Sequence, residues 1–209
     1  MKKGIIIVIV VILLIAAIAG GLYFYNAQNG DVVTDEVTNQ GTEENVENVV
    51  TSAGTKLELA TAEDMTKFVD GLYEGIEIYP SITTMELSLE DMDAVTYNTG
   101  LTKADDIESI VISEPMVSQA YSLVLVKVKE GADADSIAKE MSEKINPRKW
   151  ICVSAEKIYA TSSENFAFLV MTNTDLTDSV SNAFKSKVEK IGKEYIVDNS
   201  QEEVVLEDM

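Results

Sequence analysis

Residues 4–25 contain no charged side chain, and this uncharged stretch constrains the chain more than any other feature. About 22 residues rising ~1.5 Å each reach across the ~30 Å hydrocarbon layer of a bilayer, so the run predicts one transmembrane helix. Lys2 and Lys3 precede it, and no Lys or Arg follows before Lys56. The positive-inside rule then keeps the N-terminus cytoplasmic and sends the remainder out, with Tyr23, Phe24 and Tyr25 in the outer aromatic belt. The competing reading is a cleaved secretory signal with Ala17, Ile18 and Ala19 before the cut at Gly20. The apolar run, however, is longer than the ~7–15 residues of a signal core. Ala16 with Gly20, and Ala17 with Gly21, have the small-xxx-small spacing through which two membrane helices pair, which implies a homodimer contact in the bilayer.

The 209 residues leave room for one medium domain beyond this helix. With 36 acidic and 16 basic side chains and no histidine, the formal charge is −20. Such a chain repels nucleic-acid phosphates, so nucleic acid is not an expected partner. Lacking histidine, it also lacks the usual catalytic triads and most transition-metal sites, and no cofactor is expected. Cys152 is the only cysteine, so no intramolecular disulfide can form. Flanked by Trp150, Ile151 and Val153, it reads as a small buried hydrophobe.

Composition divides the rest. Residues 26–55 carry Asp31, Asp35, Glu36, Glu43, Glu44 and Glu47, no basic residue and few apolar ones. This reads as an acidic disordered spacer, because so little apolar surface cannot offset ordering entropy. Residues 198–209 read as an acidic flexible tail around Val204, Val205 and Leu206. Residues 56–197 between them predict an extracytoplasmic α+β domain: an antiparallel or mixed sheet with about three helices packed on one face.

Within that domain, Thr61 and Asp64 form a capping box ahead of Met65, Phe68, Val69, Leu72 and Tyr73 at helical spacing, giving a helix that ends near Gly75. Met85, Leu87 and Leu89 alternate with polar residues as in a strand with one buried face, and residues 97–100 read as a turn. Strands follow at 107–112 and 123–128. Asp133 or Asp135 caps a helix carrying Ile137, Met141 and Ile145, which Pro147 ends. Residues 150–153 continue the apolar pattern, and 157–161 with 166–172 look like a hairpin. Thr174 caps a helix with Leu176, Val180, Phe184, Val188 and Ile191 on one face and Gly192 at its end. The second half thus orders as strand, helix, strand, strand, helix.

Several segments together resemble a family of uncharacterised cell-envelope domains of Gram-positive, chiefly clostridial, bacteria. They are Ser113-Glu114-Pro115-Met116, the strand over 121–129, the Glu130-Gly131-Ala132-Asp133 entry into a helix, and the hairpin ending at 165–171. Members of that family are typically lipoproteins or membrane-anchored proteins. No lipid-accepting cysteine follows the apolar run here, so the resemblance implies a protein anchor, an α+β fold and an envelope address. It implies no catalytic residue.

Three constellations are candidates for chemistry. Ser154 with Lys157 has Ser-x-x-Lys spacing and Ser163 with Asn165 has Ser-x-Asn spacing, as in penicillin-binding enzymes. Ser154, however, precedes a strand, and no Lys-Thr-Gly follows. Glu130, Asp133 and Asp135, and Glu90, Asp91 and Asp93, are carboxylate clusters that suit calcium but lack EF-hand spacing; helix capping and a solvated turn explain them more simply. Arg148, Lys149 and Trp150 bring the only arginine and the only tryptophan beside a lysine in an acidic domain. Arg and Trp anchor protein interfaces, and an Arg-Lys pair also suits an anionic wall polymer, so this is the candidate partner contact; a helix-to-strand connection with Trp150 buried explains the three residues more simply. The balance points to a membrane-anchored, non-catalytic binding or assembly module that meets an envelope protein or wall component. A cell-envelope hydrolase is the alternative.

Overall fold

Asp64 is positioned by the capping box at the start of the first helix: its carboxylate accepts from the Thr61 amide at 3.1 Å, and the Thr61 hydroxyl accepts from the Asp64 amide at 3.1 Å. The computed structural model describes residues 54–79 and 81–200 together with the backbone of Val50–Thr51. The expected membrane helix over 4–25, its Ala16 and Gly20 pairing positions, most of the 26–55 spacer and the tail beyond Ser200 lie outside the described residues. Among the described residues no helix is long and apolar enough to cross a membrane.

The chain is α+β. Its elements are β1 (Val50–Thr51), α1 (Ala62–Gly71), β2 (Ile82–Leu87), α2 (Met92–Thr99), β3 (Ile107–Pro115), β4 (Ser122–Val128), α3 (Ala134–Lys144), β5 (Lys157–Ser163), β6 (Phe166–Thr172), α4 (Thr174–Lys187), β7 (Lys190–Ile191) and β8 (Tyr195–Asp198). Six strands form one antiparallel sheet in the order β2-β3-β4-β6-β5-β8, and β1 pairs separately with β7. Hairpins β3–β4 and β5–β6 meet through β4 and β6, so these two strands are central. Their near-unbroken apolar sequences, Ser-Leu-Val-Leu-Val-Lys-Val and Phe-Ala-Phe-Leu-Val-Met-Thr, match burial on both faces.

Helices therefore cover both faces of the sheet, not the single face expected from the sequence. On one face Val95 of α2 and Ala138 and Met141 of α3 pack on Ile110, Ile112, Val124, Val126, Leu169 and Met171. On the other, Met65 and Val69 of α1 and Val180 and Phe184 of α4 pack on Val111, Leu123, Leu125, Phe168 and Val170. Phe184 stacks on Phe168 at 4.1 Å between centroids and takes Phe68 edge-on at 6.0 Å, which locks α1, α4 and β6 together. Each such fully buried side chain contributes roughly 1.5–3 kcal/mol.

Four further expectations are corrected. The turn expected at 97–100 is the end of α2, capped at its start by Asp91 and closed by Gly100 in the left-handed region at φ 78°. Met85 is exposed, because β2 is an edge strand beyond the reach of α2 and α3. Cys152 is exposed at φ 62° instead of buried. Helix α4 differs at both ends: Asn173 and not Thr174 is its cap, accepting from the Leu176 amide at 3.0 Å, and it stops at Lys187 with Val188 extended, so Ile191 reaches the core from β7 and not from a helix.

The two ends of the sheet differ. At one end lie the β5–β6 turn and the incoming chain, where the carbonyl of Ala60 accepts from Lys127 Nζ at 3.2 Å. At the other lie the β3–β4 connection, the α3–β5 connection and the departure of the chain from β8.

Candidate functional site

Pro147 cannot continue α3, and Ile145 already adopts extended backbone, so the helix gives way to a turn at Asn146. The Asn146 side-chain carbonyl accepts from the Arg148 amide at 2.9 Å, and its backbone carbonyl accepts from the Lys149 amide at 3.3 Å. This turn aims Lys149 across the sheet end toward β3 and β4.

Lys149 is buried, its side chain 1% exposed. Its ammonium donates to the Glu114 carboxylate, to Asn98 Oδ1 at 3.2 Å and to Ser122 Oγ at 3.2 Å. These three acceptors use all three of its N–H groups. Ser122 in turn donates to Glu114 at 2.8 Å. The rings of Tyr97 and Trp150 lie 5.1 Å and 5.4 Å from the ammonium, within cation–π range. Burial lowers the Lys149 pKa, and the neighbouring Glu114 carboxylate opposes that shift. The cationic pair expected at the surface is thus divided: Arg148 is exposed, whereas Lys149 is an internal, neutralised strut, and Trp150 beside it is half-buried against the core. Sequence spacing brought Arg148, Lys149 and Trp150 forward. It could not find Asn98, Glu114 and Ser122, which reach the site only through the sheet register.

Above this strut the surface is apolar. Met116 and Val117 in the β3–β4 connection are 79% and 56% exposed, and Ile151 in the α3–β5 connection is 81% exposed. The two connections touch, since Ser118 Oγ donates to the Ile151 carbonyl at 3.2 Å. The Ala155 amide donates to the Pro147 carbonyl at 2.8 Å and closes the second loop on itself. No Asp or Glu occurs in 115–121 or in 149–155, in a chain of formal charge −20. Together these loops form an apolar cap on the sheet end remote from the incoming chain.

The other nominated residues occupy different places. Lys157 pairs with Asp178 at 2.5 Å, and Ser163 lies at the far end of β5. Asp133 caps α3 by accepting from the Asp135 amide and the Ser136 hydroxyl at 3.0 Å and 2.5 Å. Asp135 accepts from Ser162, from the Lys193 amide and from Tyr195 at 3.1, 3.0 and 2.6 Å. Among the described residues no group of three or more carboxylates or thiols is placed to hold a metal ion.

A second polar cluster occupies the opposite face. Tyr121 donates to Tyr73 at 2.9 Å, Tyr73 donates to Ser113 at 2.8 Å, and Thr84 lies 2.9 Å from Ser113 while donating to Asp70 at 2.6 Å. Burial pushes the Tyr73 phenol up to about 12 and raises that of Tyr121 as well.

In comparison with known proteins, no family model, no curated protein and no solved structure matches this chain.

Proposed function

We propose that this chain is a membrane-anchored extracytoplasmic binding or assembly module, tethered through residues 4–25, whose apolar cap docks on another protein of the cell envelope. The observation that carries the reading is the cap itself: Met116, Val117 and Ile151 stand exposed on two loops that the buried Lys149–Glu114 pair fixes to the sheet. Exposed apolar side chains on anchored loops are what a protein interface needs, because anchoring lowers the ordering entropy lost on binding. The position supports the same reading, since the incoming chain lies at the opposite end of the sheet. The envelope address rests on the uncharged run, the two lysines before it and the family resemblance.

The chemistry favours a protein over an anionic wall polymer, because Lys149 is already neutralised and inaccessible. A hydrolase finds less support. Ser122 lies 3.2 Å from Lys149, the separation of a serine–lysine pair, but it is fully buried and already donates to Glu114. No substrate reaches its hydroxyl.

The test compares the native-membrane assembly of the full chain with that of the Met116→Asp and Ile151→Asp variants by blue-native electrophoresis. Loss of a discrete larger species in both variants is the expected result. An unchanged species would refute docking through the cap.

A further inference from the structure

We infer that the cap has a ligand within its own chain: the C-terminal segment, residues 201–209, docks Val204, Val205 and Leu206 over Ile151 and Val153 and competes with the external partner. This inference rests on reading the cap as a docking surface.

The geometry of the exit comes first. Strand β8 ends at Asp198 paired with Lys157, and the Asn199 amide donates to the Glu156 carbonyl at 2.6 Å. The chain therefore leaves the domain beside the last residues of the α3–β5 connection, three positions from Val153. An extended chain spans ~3.3–3.6 Å per residue, so the four steps from Ser200 to Val204 reach about 13 Å. The apolar triplet thus begins no more than about 13 Å from an exit point that lies within a few residues of Val153 along the α3–β5 connection.

Chemistry selects the same pairing. Val204, Val205 and Leu206 are the only apolar run in the tail, between Glu202 with Glu203 and Glu207 with Asp208. An acidic segment is repelled by most of a chain of charge −20, but 115–121 and 149–155 carry no acidic side chain and Arg148 adjoins them. Apolar residues matched to an apolar surface, with acidic flanks near two loops that carry no carboxylate of their own, give a complementary fit. A second copy of this chain would bring another −20 to the contact. A short tether also supplies an effective concentration in the millimolar range, so even a contact of millimolar intrinsic affinity is substantially populated.

Cys152, the only thiol and an exposed one, sits between Ile151 and Val153 and reports directly on coverage. The experiment measures its rate of reaction with a maleimide in the full chain, in a chain ending at Ser200, and in the full-length Leu206→Asp variant. Both altered chains should react several-fold faster at an unchanged thermal midpoint, and a synthetic peptide of residues 199–209 should slow the shortened chain again. Equal rates in all three would overturn the inference. Protection that rises with protein concentration, with or without the tail, would seat a second copy on the cap and overturn it equally. If Ile151→Asp abolishes the native assembly while the thiol ignores the tail, the inference fails and the docking reading stands.

Discussion

The hydroxyl of Tyr97 donates to the backbone carbonyl of Lys149 at 2.9 Å while the ring of the same tyrosine faces the Lys149 ammonium at 5.1 Å. One residue of α2 thus holds both ends of the residue that fixes the cap. A buried polar network thus anchors the roots of the apolar loops.

That network predicts an asymmetric mutational response. Lys149→Met leaves the half-buried Glu114 without its cation and should destabilise the domain by about 2–3 kcal/mol in chemical denaturation. Adding Glu114→Gln should recover most of the loss, because the remaining groups are neutral. A double variant as unstable as the sum of the singles would mean that the pair does not act as a unit.

Gly100 carries a backbone requirement at the same site. It lies at φ 78°, and a Cβ there would come within 2.5 Å of the Ile145 amide nitrogen. Gly100→Ala must therefore strain the turn and separate α2 from the end of α3, at a cost of about 2 kcal/mol or more. Because Tyr97 and Asn98 immediately precede it, Trp150 fluorescence should also shift. An unperturbed midpoint and spectrum would show that the two helix ends are not in contact.

Stability should decline at alkaline pH. Tyr73 titrates near pH 10 when unfolded but is pushed up to about 12 by burial in the fold, and Tyr121 shifts in the same direction. Above pH ~10 the unfolded chain binds fewer protons than the native one, so this contribution is intact below pH ~10 and is lost as pH rises through about 12. Tyr73 alone accounts for roughly 2–3 kcal/mol. The depressed Lys149 works the other way, but only below its ordinary value of 10.5. Tyr73→Phe should flatten the fall in denaturation free energy between pH 10 and 12; a slope identical to wild type would place the effect elsewhere.

The sequence made the caps and central strands legible because their signals are local. Thr61 with Asp64 and Asp133 ahead of α3 are capping chemistry within one turn, and 123–128 and 166–172 are runs of strand-forming apolar residues. The absence of alternation in those two runs was the signal for helices on both faces. Helix α2 was missed because Met92–Thr99 carries Asp93, Thr96, Asn98 and Thr99 and has no apolar stripe. Its Asn98 and Thr99 are buried by tertiary contacts and bond back to the carbonyls of Ala94 and Val95. Cys152 misled through its neighbours: Trp150, Ile151 and Val153 read as a buried apolar setting, whereas the chain there forms an exposed loop. At the site, Lys149 was legible as an odd cation, but its acceptors lie 51, 35 and 27 positions away and meet it only through the fold.

Charge on the cap should be neutral for folding. Ile151→Asp and Met116→Asp replace exposed side chains that contribute little to the core, so each should change the denaturation free energy by less than about 0.5 kcal/mol. A loss above ~2 kcal/mol would mean that the loops are packed and not presented.

Site-specific photo-crosslinking in the native membrane tests the central claim most directly, with the photoreactive residue placed at Ile151 or, as a control, at Glu63 on α1. The account predicts one discrete protein adduct from position 151 that is absent from position 63 and is lost when Met116→Asp is added. Adducts that are the same from both positions, or that persist with Met116→Asp, would contradict a docking cap at this end of the sheet.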